Sequence, residues 1–341
     1  MSIAIVILNW NGEKYLRTFL PTLINCTKTP NTEIIVADNA STDNSVAELR
    51  LNFPNVGIIE LSENFGFAGG YNKALKQVQA DYYVLLNSDI EVTDGWLEPL
   101  VNYMEENDDA VACQPKILAY NQKTHFEHAG ASGGYIDFLG FPFCRGRIFN
   151  HVEPDMGQYN SIEEIFWASG ACLFVRAENY WQVGGLDEYF FAHMEEIDLC
   201  WRLKNRGGRI VVIPQSVVYH IGGGTLNTES PFKTFLNFRN NLIMLYKNLP
   251  ENQLRKVLFY RFILDYLAAI QLFVSGKPQN AMSVLKARNA FHNVKSKYKA
   301  IRIENRSFTT VENHVQMFNK SIVAQFYLYK KRCFSDIFDI K

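Results

Sequence analysis

Four stretches of this chain set amides, carboxylates and small residues directly behind an apolar run: Asn9 with Asn11; Asp38, Asn39, Ser41 and Asp43; Asn64, Gly66, Gly69 and Asn72; and Asn87, Ser88 and Asp89. Oxygen groups of this kind accept hydrogen bonds from hydroxyl and amide donors and hold hard divalent cations such as Mg2+ or Mn2+. Gly66 and Gly69, beside two amides at a helix start, allow close backbone approach to a ligand, although a tight turn or close helix packing uses glycine equally well. Further along, Glu195, Glu196 and Asp198 open a helical pattern. Paired carboxylates can move a proton, and acidic residues are also favoured in a first helical turn for their effect on the dipole. His220 follows another apolar run and, taken alone, reads as a core histidine with its hydrogen bonds met.

The runs that carry these residues read as strands. Ile3 to Leu8, Glu33 to Ala37, Val56 to Leu61 and Tyr82 to Leu86 are nearly unbroken, the pattern of parallel strands buried on both faces. Helical spacing fills the gaps at Glu13 to Cys26, Ser45 to Asn52 and Gly69 to Gln79, the second entered through cap-forming residues Ser41 to Asn44. The order βαβαβαβ predicts an open sheet covered by helices, and such sheets bind ligands at the carboxyl ends of their strands. All four polar stretches fall there. Roughly Gln114 to Ser161 is less regular, rich in glycine and aromatics, and reads as acceptor-side or lid structure or as plain structural loop. Regular patterning returns with a strand over Phe166 to Val175, a helix over Glu196 to Asn205 and a strand at Ile210 to Ile213.

With 48% hydrophobic and 20% charged residues over 341 positions, the chain can bury a large core and is neither disordered nor collagen-like. Its 34 basic and 35 acidic side chains nearly cancel, which excludes a uniformly basic nucleic-acid binder, and no nucleic-acid partner is expected. The cancellation hides a division: residues 1–230 hold 15 basic and 29 acidic side chains, and residues 231–341 hold 19 and 6. Two regions are therefore predicted, 1–230 with the cleft and 231–341 basic and mainly helical. Helical spacing covers Phe235 to Tyr246 and Leu254 to Val274; the second stretch includes Arg255, Lys256, Arg261 and Asp265, too polar for an ordinary spanning helix, so an interfacial or packed helix is expected. An acidic body suits a cation site, and a basic tail suits an anionic surface such as the cytoplasmic leaflet, unless the two simply neutralise each other. Six cysteines without a CxxC pair point to a reducing compartment, and the opening residues do not read as a signal peptide. A cytoplasmic protein with peripheral contact at the inner face of the plasma membrane is expected.

Taken in order, ILNWNG, ADNASTDNS, ENFGFAGGYNKAL, LLNSDIE, ASGACLFVR, HMEEIDLCWR and YHIGGG resemble the family 2 glycosyltransferases with the GT-A fold, especially their rhamnosyltransferase-like branch. The resemblance runs from residue 3 to about 225. It implies a Rossmann-like open mixed sheet with a C-terminal helical appendage, and it implies roles for single residues. Asn9, Asn11, Asp38, Asn39, Ser41, Asp43, Asn64, Gly66, Gly69, Asn72, Asn87 and Ser88 fall to the nucleotide-sugar donor. Asp38 would take hydrogen bonds from base or ribose, with helix capping the competing use for Ser41 and Asp43. Asn87 to Asp89 occupies the family's DxD position, where a carboxylate helps hold Mg2+ or Mn2+ on the donor diphosphate; Asn87 departs from the motif and leaves Asp89 as the main ligand. His220 matches a position near that metal and diphosphate. Trp167, Ser169, Gly170 and Ala171 match a segment lining the sugar and acceptor pocket. Glu196 stands where the family has its general base, one methylene longer than the usual Asp, with Glu195 its rival. Asp198 and Arg202, at i and i+4, suit a structural pair, and Arg239 suits either a phosphate or a membrane face shared with Lys247, Arg255 and Lys256.

The implied reaction is a metal-assisted, inverting transfer of rhamnose or another hexose from a UDP-, dTDP- or GDP-linked donor. The acceptor would be a hydroxyl of a glycan or lipid-linked glycan in cell-surface polysaccharide synthesis. The Asn87 departure and the Glu-Glu pair leave open a noncatalytic nucleotide-sugar-binding or scaffold protein. A Rossmann dehydrogenase fits poorly, because no GxGxxG follows the first strand.

Overall fold

The computed structural model describes residues 1–222 and 230–338; Gly223 and Gly224, the end of the YHIGGG stretch, lie outside them. In the first half, β1 (Ile3–Asn9), α1 (Glu13–Cys26), β2 (Thr32–Asp38), α2 (Ser45–Asn52), β3 (Gly57–Glu60), α3 (Gly66–Leu75) and β4 (Tyr82–Asn87) follow one another. The strands are parallel, in the order β3-β2-β1-β4. β1 shows why its sequence is unbroken. Ala4 and Val6 join one core, with Tyr71 and Ala74 of α3, while Ile3, Ile5 and Ile7 join another on the opposite face, with Leu16 and Leu20 of α1. A strand covered on both sides has no solvent face to alternate towards. α3 corrects the predicted Gly69 to Gln79 helix: it begins a turn earlier because Phe67 N and Ala68 N donate to Phe191 O, a distant contact that local spacing does not register.

Beyond β4 come β5 (Ile90–Val92), α4 (Glu98–Glu106), β6 (Ala110–Ala119) and β7 (Gln122–Phe126), then four short strands, β8 (Gly134–Asp137), β9 (Pro142–Cys144), β10 (Arg147–Ile148) and β11 (His151–Val152). β12 (Glu163–Glu164), β13 (Cys172–Arg176), α5 (Ala177–Gln182), α6 (Glu195–Asn205) and β14 (Arg209–His220) complete the sheet in the order β4-β13-β6-β14-β12, with β13 antiparallel to β4. Two expectations are corrected here. The stretch from Gln114 to Ser161 is not plain loop. β6 escapes notice because it contains Pro115, opposite which β14 bulges between Ile213 and Val217, and Lys116, buried and paired with Asp155 at 2.8 Å. β8 to β11 hold two to four residues each, too few for a period to emerge. The strand expected from Phe166 starts only at Cys172, because Trp167 bridges sideways to Gly134 of the small sheet.

The chain then forms α7 (Pro231–Asn248), α8 (Glu251–Val274), α9 (Pro278–Val294) and α10 (Tyr298–Ser307), followed by β15 (Met317–Phe318) and α11 (Ile322–Tyr327). β15 pairs in parallel with β8, and Phe334 and Phe338 stack at 4.5 Å among Tyr135 and Phe143. The whole is an open mixed α/β sheet with helices on both faces and a C-terminal helical extension. All six cysteines are free.

Candidate active site

Register lays the strand ends side by side: Asn9 faces Asp38, Leu8 faces Asn87, and Asp38 faces Glu60. Asn9 and Asp38 are buried at the floor of this rim. Asn9 Nδ2 donates to Asp38 Oδ1 at 3.0 Å and to Ser41 Oγ at 3.2 Å, and Ser41 N donates to Asp38 Oδ2 at 2.9 Å. Each Asp38 oxygen keeps further accepting capacity for a ligand. Their neighbours brace the loop. Asn11 Oδ1 accepts from Thr42 N at 2.7 Å, and Asp43 accepts from Glu13 N and Ser45 N, both at 3.0 Å, so the carboxylate serves the starts of α1 and α2. Asn39 Nδ2 donates to Asn64 Oδ1 and Gly66 O, both at 3.0 Å, while Asn64 Oδ1 receives Gly66 N at 2.9 Å. Gly66 has φ 71°, and a Cβ there would lie 2.4 Å from the Phe191 ring, so the turn needs glycine. Asn72, in α3 with Gly69, has its amide engaged by Leu186, Glu188 and Tyr180, which ties α3 to the loop before α6.

At the end of β4, Asn87 N donates to Ala171 O at 3.0 Å and its Nδ2 lies 3.4 Å from His220 Nε2. Ser88 is half-buried beside Gly12. Asp89 Oδ1 stands 3.2 Å from the same Nε2, and Glu127 Oε2 stands 3.2 Å from His220 Nδ1, which is buried without an aligned hydrogen bond. Burial alone would lower the His220 pKa, but the carboxylates of Asp89 and Glu127, one beside each ring nitrogen, prevail and raise it to about 10. Burial likewise opposes ionisation of Glu127, and His220 reverses it, leaving that carboxyl below its ordinary value. Glu127 is the site residue that sequence reasoning missed; it follows a short polar strand, β7, whose residues show no alternation to mark it. Glu91 turns outward and pairs with Lys123.

Glu195 and Glu196 begin α6 after a loop in which Phe191, His193 and Met194 have φ of 64°, 69° and 72°. Three left-handed residues without glycine are held by α7: Asn240 Nδ2 donates to Phe190 O, Ala192 O and His193 O at 2.8–2.9 Å. Both carboxyls have one buried oxygen, Oε2, without a partner. Burial raises the pKa of both, Glu195 well above the ordinary value with Glu196's charge adding to it, and Glu196 to about 7. Of this coupled pair Glu195 holds a proton the more strongly, and Glu196 is the member that can exchange one near neutral pH. A Cβ on Gly170 would meet the Phe67 ring at 3.2 Å and Glu196 Cβ at 3.6 Å, so Gly170 lies against the Glu196 side chain.

The rest of that segment is built into the scaffold. Trp167 is buried, its Nε1 donating to Tyr135 O at 2.9 Å. Ser169 N donates to Gln114 Oε1 at 2.9 Å and its Oγ to Ala129 O at 2.5 Å, and Ala171 is buried. Asp198 and Arg202 form the expected pair at 2.9 Å, joined by Lys247 Nζ at 2.7 Å from Asp198. Arg239 and Lys247 correct the sequence reading. Arg239 donates to Tyr189 O at 2.8 Å with its guanidinium on the Tyr189 ring, and Lys247 is buried between Asp187 and Asp198, because both basic groups are drawn to carbonyls and carboxylates of α6 and the loop before it instead of to a phosphate or membrane.

Residues 4–180 match the family described as Glycosyl transferase family 2. The N-acetylglucosaminyl-diphospho-decaprenol L-rhamnosyltransferase of Mycobacterium tuberculosis is 26% identical over 231 residues, which cover 63% of this chain and 75% of that protein. The crystal structure of GalNAc-T7 with UDP, GalNAc and Mn2+ aligns with a TM-score of 0.58 at 15% identity, covering 89% of this chain, which in turn spans 57% of the GalNAc-T7 chain. S. aureus TarS 1-349 in complex with UDP aligns with a TM-score of 0.55 at 17% identity, covering 89% of each chain. At these identities the structural likeness is one of fold.

Proposed function

The chain belongs to the family 2 glycosyltransferases, and from that premise we propose an inverting, metal-assisted transfer of rhamnose or another hexose to a hydroxyl of a glycan or lipid-linked glycan. Family, relatives and fold together make it a nucleotide-sugar-dependent glycosyltransferase of glycan or polysaccharide synthesis, and the noncatalytic alternative is set aside. The observation that carries the finer reading is the Glu195–Glu196 pair, in which one carboxyl holds a proton the more strongly and the other, with a partnerless buried oxygen, is free to take one. In the proposed step Glu196 removes the acceptor hydroxyl proton as that oxygen attacks the anomeric carbon; the bond from that carbon to the diphosphate breaks with its electron pair leaving on the phosphate oxygen. A single displacement inverts the configuration. Asp38 and Asn39 would hold the nucleoside end against the β1–β2 rim. The rhamnosyl identity rests on the M. tuberculosis relative, and the cytoplasmic, peripheral placement on a lipid-linked acceptor.

Among the described residues no three His, Cys, Asp or Glu side chains form a cation cage. The donor set nonetheless fits a cation brought with the substrate. Mg2+ and Mn2+ at phosphotransfer-type sites use one or two protein ligands and complete their shells with phosphate oxygens and water. Asp89 would supply one such ligand, and the Nε2 of His220, 3.2 Å from it, a second once the arriving cation displaces its proton. A bound cation would neutralise the charge that develops on the departing nucleotide. We expect UDP, dTDP or GDP to bind in a Mn2+-dependent manner by calorimetry, and Asp89→Ala to lose that dependence; unchanged Mn2+-dependent binding in the variant would remove Asp89 from the metal site. Glu127, which faces the other nitrogen of His220, should act as the orienting carboxylate. Glu127→Gln is expected to raise, about 10- to 100-fold, the Mn2+ concentration needed for that nucleotide binding in the same calorimetric titration.

A further inference from the structure

Midway along α8 an arginine and an aspartate point inward while large apolar side chains point outward. Its buried residues are Leu254, Val257, Arg261, Asp265 and Ala269, one stripe at three- and four-residue spacing. Within that stripe Arg261 pairs with Asp265 at 3.2 Å and donates to Leu139 O at 3.1 Å and to Asn241 Oδ1, while Arg288 of α9 reaches Asp265 at 2.5 Å. The opposite face shows Phe259, Phe262, Ile263, Leu267, Ile270 and Phe273 to solvent, Ile270 60% and Phe273 65% exposed. By length and composition α8 is, among the described residues, the helix apolar enough to cross a membrane. Its Arg261–Asp265 network fixes it along the protein body instead, so its 24 residues, about 36 Å, lie flat on one side of the molecule. An apolar row of this extent is unusual on a free surface.

The charge around the row selects its occupant. Arg255 and Lys256 on α8 and Lys286 on α9 are exposed, and past Glu251 the only acidic residue of α8 is the buried Asp265. The whole of residues 231–341 holds 19 basic against 6 acidic side chains. A second copy docked face to face would bring two such basic rims together, whereas an anionic lipid surface takes both the apolar row and its basic border. Tyrosine is also concentrated at bilayer interfaces, and α8 exposes Tyr260 and Tyr266 beside the row. We propose that α8 is an in-plane membrane anchor, its outward face set among the headgroups and upper acyl chains of an anionic bilayer. The anchor stands on the exposed face alone; its use, holding the cleft close to a lipid-linked acceptor, rests on the reaction proposed above.

The test is flotation of the full chain with vesicles of phosphatidylcholine alone or mixed with phosphatidylglycerol, without donor or acceptor. The wild type should float with the anionic vesicles. Leu267→Ser/Ile270→Ser/Phe273→Ser, which changes only exposed positions, should bind them on the order of 100-fold more weakly. Arg255→Gln/Lys256→Gln should weaken binding about tenfold at low salt. Nucleotide binding in the triple variant should match the wild type, which shows that the fold is intact. Equal flotation of wild type and triple variant, or no flotation of the wild type, overturns the anchor. So does a wild type that is dimeric by light scattering in the absence of lipid while the triple variant is monomeric, since a second copy then covers the face. Vesicle binding can fail while transfer to a soluble acceptor succeeds, and the reverse, so the two readings stand or fall separately.

Discussion

Glu196→Gln should lower turnover by about 100- to 10,000-fold while leaving nucleotide binding intact. The substitution keeps the shape of the side chain and removes the group that takes the proton. Glu195→Gln should be far milder, because burial and the neighbouring Glu196 charge already favour the neutral form of that carboxyl, which an amide imitates. Initial rates of sugar transfer for both variants, beside calorimetric affinities for the nucleotide, decide the matter. A Glu195 variant that loses turnover beside an active Glu196 variant would reverse the assignment.

The same residue fixes a pH dependence. With a pKa of about 7, Glu196 is an effective base only above that value, so the wild-type rate should rise as pH climbs through 7 and then level off. Stability should move the other way. The folded-state pKa lies above the ordinary 4.5, so the native protein binds more protons than the unfolded chain between pH 4.5 and about 7. Stability is therefore full below 4.5 and falls as pH rises towards 7. The loss amounts to about 3 kcal/mol at most. Glu196→Gln should escape that loss and unfold at a higher temperature than the wild type at pH 8, a gain in stability at the expense of function.

How much of this could be read from the chain depends on the range of the interaction. β1, α1 and α2 were legible to within a residue because their signals are local: an unbroken apolar run, or apolar spacing behind a cap. The strand-end rim was legible for the same reason, since parallel strands must end where their polar residues begin. Glu127 was not legible. It reaches His220 across 93 residues of chain only because β6, β7 and β14 share a sheet, and β6 was hidden by Pro115 and Lys116. Asn240 shows the same limit from the other side. Its amide is spent on three carbonyls of the loop before Glu195, whereas the sequence shows it only as one more polar residue in the basic region after residue 230. Polar residues on an amphipathic helix carry no mark of whether they will meet water or another loop.

Lys247→Met should destabilise the protein by about 3–5 kcal/mol, the cost of leaving buried carboxylates short of a partner. Lys247 is 2% exposed and bonds Asp187 and Asp198 at 2.7 Å each, while Asp198 is wholly buried and also takes Arg202 and Asn248. Burial alone would raise the Asp198 pKa, but Lys247 and Arg202 outweigh it and hold the carboxyl below its ordinary 3.8. With a depressed folded-state value the network stabilises the protein above about pH 4 and loses that contribution as pH falls below it. Thermal or urea unfolding at pH 7 gives the size of the effect. Asp198→Asn combined with Lys247→Met should recover part of the loss, because the second change removes the charge that the first leaves stranded. A single variant within about 1 kcal/mol of the wild type would show that water or Arg202 replaces the lysine. The consequence reaches the chemistry: Asp198 lies on the same helix as Glu196, and Lys247 on the same helix as the Asn240 that clamps its entry loop. The residues that set the base in place are thus secured from the C-terminal helices, and a chain cut at residue 230 would lose the clamp and the counter-charge together.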